Sequence, residues 1–204
     1  MTIIRTIEDL EDIYRAAPTL ASTVKEIDYL TSDYKRLIAA SPFAVLATVG
    51  PEGLDCSPRG DFSGFVRVID DRTVVMPDRR GNNRIDSLRN IVRDPRVALL
   101  FLIPGAGTTF RINGRAVIST DPDLLNSFSV EGRTPRSAII VSVKAAYFQC
   151  ARAIVRSRLW EPAAQIDPAA LPTPGKILDS LSKSAIDANS YDAEWPARAK
   201  ETLW

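Results

Sequence analysis

The chain has 204 residues, 45% of them hydrophobic, enough for one well-packed core, and no charge run or low-complexity tract sets off a second domain. With 26 Lys and Arg against 25 Asp and Glu, the net charge of +1 excludes nucleic-acid binding through bulk electrostatics. There is no histidine, which removes Ser-His-Asp and Cys-His nucleophilic systems, HExxH zinc sites and imidazole acid–base catalysis.

The opening segment "MTIIRTIEDLEDIYR" is charged throughout and does not read as a secretory signal. No apolar run approaches the roughly 20 residues of a membrane span, so the expectation is a cytoplasmic protein with no membrane partner. Cys56 and Cys150 lie far apart without metal-ligand spacing and are read as buried free thiols.

In chain order, residues 8–17 and 28–40 have helical periodicity, with Thr31, Ser32 or Asp33 available as a cap in the second. "SPFAVLATVG" at 41–50 is a short apolar run that reads as a buried strand, and Leu54 to Pro58 returns as its partner after the turn "PEG". "GFVRVIDDRTVVMPD" predicts a hairpin around Asp70-Asp71. From Asn82 the apolar spacing becomes helical, with Ile85, Leu88, Ile91 and Val92 on one stripe, Asn82 or Asn83 as the N-cap and "RDP" as the stop. "RVALLFLI" at 96–103 and "TTFRINGRAVIS" predict two further strands, with Gly114 marking a bulge or a bend of a barrel wall. A helix is expected from Asp121-Pro122 to about Val130, a strand at 137–143 and a helix from about Phe148 to Arg156. A proline-rich linker then leads to helices at 174–188 and 192–203.

Six or seven strands joined mainly by hairpins favour a mainly β architecture with α-helices at its periphery, an antiparallel barrel rather than a doubly wound sheet. No GxGxxG follows a strand and no Walker loop occurs. The barrel is expected over about 40–160 of a single domain spanning 1–204, with a helical extension at 1–40 and a linker and helices at 161–204.

Two polar segments stand out, "SPRGDFSG" at 57–64 and "PDRRGNNR" at 77–84. They place Arg59, Arg79, Arg80 and Arg84, with Asn82 and Asn83, at corners of the same meander. Guanidinium forks beside a helix start suit a phosphate, and arginines converging without excess net charge point to one small anion rather than a polyanion. For the second corner alone, a solvated turn is the competing reading.

The motif order "SPRGD", "GFVRVIDDRTVVMPDRRGNNRIDSLRNIVRDPRVALLFLIPG", "TFRINGRA" resembles the flavin-binding split barrels related to pyridoxamine 5′-phosphate oxidase, over about residues 40–160. The resemblance implies a split β-barrel homodimer with two FMN molecules at the subunit interface, and an oxidoreductase acting on an unknown small molecule. It places Arg84, with Asn83 and Arg79, at the FMN phosphate, and Arg59, Gly60 and Asp61 along the isoalloxazine and ribityl chain. Thr109 falls where the oxidase turns a glutamine towards the flavin, and Arg111 follows it in the same strand. Arg158 and Trp160 stand where an arginine and an aromatic residue of the partner subunit approach the cofactor. The chain lacks the C-terminal histidine with which the oxidase receives its substrate phosphate, and it reads Gln149-Cys150 where relatives read "HC". Flavin binding is therefore implied, and pyridoxamine phosphate as the substrate is not. A deazaflavin- or haem-binding relative on the same fold, and a non-enzymatic flavin store or sensor, are the alternatives.

Overall fold

The computed structural model describes residues 2–204, with helices α1 (Ile7–Ile13), α2 (Leu20–Thr23) and α3 (Ser32–Ala40) preceding the strands. The β-region comprises β1 (Phe43–Gly50), β2 (Gly53–Gly60), β3 (Arg67–Asp70), β4 (Thr73–Pro77), β5 (Arg96–Leu102), β6 (Thr109–Ser119) and β7 (Ala138–Gln149). Helix α4 (Asp86–Arg93) lies between β4 and β5, α5 (Pro122–Ser127) between β6 and β7, and α6 (Arg152–Ser157), α7 (Pro174–Leu181) and α8 (Ala188–Thr202) follow β7. The strands form one antiparallel sheet in the order β2-β1-β5-β6-β7-β4-β3, which is the split-barrel fold with peripheral helices expected from the sequence.

Alternation explains which faces turn inward. Ala44, Leu46 and Thr48 of β1, Val97, Leu99 and Phe101 of β5, and Phe110, Ile112 and Ala116 of β6 are all buried, as the two-residue period of a strand requires. All of these but Thr48 meet Val74 and Met76 of β4 and Ile139, Val141 and Val143 of β7 in one cluster. Helix α3 closes one end of this cluster with Tyr34 and Ile38, and the Tyr34 ring lies 4.9 Å from that of Phe110. Burial of Tyr34 holds its hydroxyl above the usual phenol range, and that hydroxyl donates to the Lys25 carbonyl at 2.6 Å.

The expected bulge is present: the β6–β7 register slips between Asn113 and Gly114. A side chain at Gly114 would collide with the Ser142 carbonyl oxygen and approach Val141 Cγ1 to 2.8 Å. Neither obstacle is a flexible chain end. Gly114→Ala is expected to cost about 1 to 3 kcal/mol of stability by overpacking, measured by urea denaturation.

Several boundaries differ from the sequence reading. Helix α1 ends at Ile13 rather than near 17, and α3 begins only at Ser32, because the Thr31 side chain accepts from the Tyr34 N–H and caps it there. Strand β7 continues through the segment expected to turn helical, as residues beyond the bulge keep pairing with β6 to Thr109↔Gln149; helix begins only at Arg152. Helix α5 stops at Ser127, short of Val130. The C-terminal helices run over 174–181 and 188–202, and the Gly175 N–H donates to Asp192 Oδ1 at 2.8 Å to pin them together.

Neither cysteine is buried. Cys56 lies on an outward position of the edge strand β2, and Cys150 follows the last residue of β7. The Arg152 backbone N–H, with help from the Arg152 and Lys25 charges, holds the Cys150 thiol below its ordinary range. Cys150 is therefore expected to alkylate with iodoacetamide at a half-maximal pH below the ~8.5 of an ordinary thiol. A rate profile centred at or above that value contradicts this environment.

Candidate functional site

The sheet has two edges, β2 and β3, and the β4–α4 corner lies against the β2 edge. On β2 the residues opposite buried β1 positions are Asp55, Ser57 and Arg59, so this strand turns a polar row inward where its neighbours turn apolar ones. The row is satisfied by α4 and the corner. Arg59 Nη1 pairs with Asp78 Oδ1 at 2.6 Å, and Arg59 Nε donates to Ser57 Oγ at 3.3 Å. Ser57 and Ser87 hydroxyls are 3.0 Å apart, and Ser87 donates to Asp55 Oδ2 at 2.6 Å. A hydroxyl has one proton, and Ser87 gives its own to Asp55. Ser57 therefore donates to Ser87, and the bonds run in one direction from the Arg59 guanidinium to the Asp55 carboxylate.

A second ion pair ties the end of β2 to the same corner. Arg79 Nε meets Asp61 Oδ2 at 2.6 Å, and the Asp61 side chain is only 2% exposed. The Phe62 N–H donates to the other Asp61 oxygen at 2.6 Å. The C-terminal residue lies over this pair: the Trp204 ring is 5.2 Å from that of Phe62 and 5.3 Å from the Arg79 guanidinium carbon. Asp78 belongs to the "PDRRGNNR" corner, but nothing in the sequence pairs it with Arg59. Alternation of Asp55, Ser57 and Arg59 along one strand is the signal that could have revealed the polar row, which the sequence reading did not draw.

Beyond Arg79 the corner is open to solvent. Residues Arg80, Gly81, Asn82, Asn83 and Arg84 are exposed. Asn82 does not cap the helix; its side chain accepts from the Arg84 N–H at 3.1 Å and turns the loop. Nor does Asn83, which is left-handed at φ 63° and accepts from Arg136 Nη1 at 3.4 Å. The N-cap position belongs to Ile85, itself left-handed at φ 54°, with no side chain satisfying the first turn of α4. A β-branched residue in that conformation costs on the order of 1 to 3 kcal/mol and persists only where its surroundings impose it. The N–H groups of Asp86, Ser87 and Leu88 are consequently left without an intrahelical partner. Arg84 Nε reaches Asp86 Oδ2 at 2.7 Å, and that carboxylate raises the guanidinium's already high pKa. Among the described residues Arg80 makes no ion pair.

The remaining residues singled out in the sequence form a second group. Thr109 Oγ1 donates to Gln149 Oε1 at 3.5 Å across the β6–β7 pair. Arg111 Nε donates to Asn113 Oδ1 at 3.0 Å, and its guanidinium lies 5.7 Å from the Tyr147 ring. Arg158 ends α6 in a left-handed conformation, paired with Glu161 at 2.6 Å. Trp160 Nε1 donates to the Ala106 carbonyl at 2.7 Å, fastening the segment after α6 to the β5–β6 turn. Strand β6 stands three strand spacings from β2, about 14 Å along the sheet, and no hydrogen bond among the described residues joins the two groups. The structure thus brings Arg59, Gly60, Asp61 and Arg79 together beside the loop bearing Asn83 and Arg84, and keeps Thr109, Arg111, Arg158 and Trp160 apart from them.

The family profile described as pyridoxamine 5′-phosphate oxidase matches residues 30–150, more than half of the chain. The chain belongs to that family. The match to the pyridoxamine 5′-phosphate oxidase family begins at Leu30, two residues before α3, and ends just past β7, so it covers every strand and both site groups except Arg158 and Trp160. Solved structures similar to this chain include HupZ of Group A Streptococcus, at 21% identity and a TM-score of 0.48, covering 59% of this chain and 94% of that one. A putative pyridoxamine 5′-phosphate oxidase from Lactobacillus delbrueckii has 20% identity and a TM-score of 0.48, covering 59% of this chain and 95% of that one. An FAD binding protein from Mycobacterium smegmatis has 14% identity and a TM-score of 0.40, covering 60% and 97%. No curated protein matches this chain in sequence. Among the described residues no helix is long and apolar enough to cross a membrane, and no group of three or more Cys, Asp and Glu side chains has the arrangement of a metal site.

Proposed function

We propose that this chain is a homodimeric, FMN-binding oxidoreductase acting on a small molecule. One observation carries the reading: the first turn of α4 is uncapped and opens beside Arg80 and Arg84, in a protein whose net charge is only +1. Free N–H groups and guanidinium forks at one corner fit a single phosphate, and Arg80, unpaired among the described residues, gives that phosphate a cation not already neutralised by them. The donor set therefore fits the phosphate end of a flavin mononucleotide.

In this reading Arg84, Asn83 and Arg79 hold the phosphate, with Arg80 beside them. Arg59, Gly60 and Asp61 line the ribityl chain and ring. The hydrogen-bonded row through Ser57 and Ser87 fixes the direction of the Arg59 fork, and the Asp61 carboxylate does the same for Arg79. Separation of the two residue groups supports the dimer: Thr109, Arg111, Arg158 and Trp160 of a second copy would complete a site that the first copy leaves open. Bound flavin supplies hydride and one-electron chemistry of its own, so the absence of histidine is no obstacle. We read the segments flanking the barrel as parts of the same domain, and the protein as cytoplasmic, where two free thiols stay reduced.

The purified protein should be yellow, release FMN on denaturation and have the mass of a dimer in light scattering. NADH or NADPH should bleach the flavin absorbance. A colourless protein that takes up no added FMN refutes the reading, and uptake of a deazaflavin or haem in its place would reassign the ligand. Flavin that binds but is reduced by neither nucleotide would make the protein a store or sensor.

A further inference from the structure

We propose that Trp204 is a positioning residue of the anion site: its ring holds one side of the Arg79 guanidinium, so that the free edge of that fork is aimed before a phosphate arrives. This rests on the reading of Arg79 as a phosphate ligand given above. Trp204 lies two residues past α8 and outside residues 30–150 of the family match, which therefore assigns it no role. The Arg79 guanidinium carbon stands over the Trp204 ring, 5.3 Å from its centroid, within the ~6 Å over which an aromatic face attracts a cation. Nε of the same guanidinium is kept by Asp61 Oδ2 at 2.6 Å. Neither Arg79 Nη atom donates a hydrogen bond among the described residues, and among those residues no unpartnered side-chain nitrogen is buried. Two sides of the fork are thus occupied, and its Nη edge still reaches accessible space.

Burial gives this arrangement its weight. The Arg79 side chain is only 14% exposed, whereas Arg80 and Arg84 lie open on the loop. A cation–π contact strengthens as water leaves it, and an arginine already fixed loses little further rotamer freedom when its ligand binds. Arg80, unpaired among the described residues, has that freedom still to lose. Polar contacts bring the ring to its place. Arg133 Nη1 donates to the Glu201 carbonyl at 2.9 Å, at the end of α8 where carbonyls have no intrahelical partner, and the Gly175 N–H fastens α8 to α7 through Asp192. No residue of α8 is buried, and Phe62, whose ring lies 5.2 Å from that of Trp204, stays 68% exposed. The aromatic contact therefore shields little apolar surface. What the Trp204 ring does meet is a largely buried cation at the proposed site.

The parent, Trp204→Ala and Trp204→Phe, all full-length, are titrated with FMN and the affinity is read from flavin fluorescence. Trp204→Ala is expected to bind FMN about tenfold more weakly, the size of one desolvated cation–π contact, and Trp204→Phe to stay within about threefold of the parent because a phenyl ring keeps the contact. Circular dichroism of Trp204→Ala should match the parent, since Arg133 and Asp192 still fasten α8. With Asp61→Ala and Arg79→Met in place, no cation remains for the ring to hold, and Trp204→Ala should bring no further loss. Unchanged affinity in Trp204→Ala, or a loss of the same size on both backgrounds, would overturn the proposal and leave Trp204 a clasp for the tail. Tighter binding by Trp204→Ala would show that the ring stands in the ligand's own place, which also overturns it. If the parent takes up no FMN, inorganic phosphate becomes the probe in isothermal titration. Phosphate affinity that falls in Trp204→Ala upholds the proposal while the flavin reading fails; phosphate affinity indifferent to residue 204 overturns the proposal, and a parent that binds neither refutes both.

Discussion

Asp61→Ala is expected to be the most destabilising substitution at the site, lowering the unfolding free energy by about 3 to 5 kcal/mol, because it leaves the Arg79 guanidinium uncompensated in a largely buried setting. The Asp61 side chain is 2% exposed and that of Arg79 14%, so water replaces little of what the carboxylate provides. The Asp61 carboxylate also accepts from the Phe62 N–H, and alanine abandons that donor as well. Replacing both charges together, Asp61→Ala with Arg79→Met, should recover much of the loss, as the isolated buried charge is then absent. Urea denaturation followed by far-ultraviolet circular dichroism measures all three proteins against the parent. An Asp61→Ala protein within about 1 kcal/mol of the parent would show that the pair is wetter than its geometry indicates. The neighbouring Arg59–Asp78 pair keeps 19% of each side chain exposed, and a smaller loss is expected from Asp78→Ala.

Arg84→Glu should have the largest effect on ligand binding with the least effect on the fold. The Arg84 side chain is 72% exposed and its carboxylate partner, Asp86, is only two residues away, so no tertiary contact depends on it. The substitution places a second acid beside Asp86 at the open turn of α4, where the helix dipole tolerates it but a bound phosphate does not. FMN affinity is expected to fall about 100-fold or more, the scale of losing one charge-assisted hydrogen bond and gaining a repulsion, with the melting midpoint unchanged. Isothermal titration with FMN and a thermal scan of the same preparation separate the two quantities. Unchanged affinity would remove Arg84 from the phosphate site. Arg80→Ala, which removes a cation that is unpaired among the described residues, should weaken FMN without altering stability and serves as the milder companion.

Most of the barrel was legible because its signals are local. A strand with one face inward alternates, and β1, β5 and β6 alternate; Gly114 announced the bulge because only a residue without a side chain fits beneath the Ser142 carbonyl. The failures sit where two periodicities compete. "AAYFQCARAIVRSRLW" can be read as helix from Phe148, but its first residues extend β7 because β6 offers unpaired backbone groups as far as Thr109. Asn82 and Asn83 are good caps in isolation, yet one turns the loop and the other meets Arg136, more than fifty residues later. The cysteines looked like core residues by type, and their places on an outward strand position and at a strand end expose them.

By itself, then, the sequence determined the antiparallel barrel, the exclusion of histidine chemistry and a corner rich in arginine and asparagine, since composition and period-two patterning are properties of neighbouring residues. Only the tertiary structure decided what each arginine does. Arg59 and Arg79 of the β2 edge and the corner are tied to Asp78 and Asp61, Arg84 keeps to its own loop, and Arg80 is left without a carboxylate among the described residues. Those assignments depend on which strand end folds against which corner, and the separations of 18 and 19 residues between the paired side chains carry no periodic trace of it.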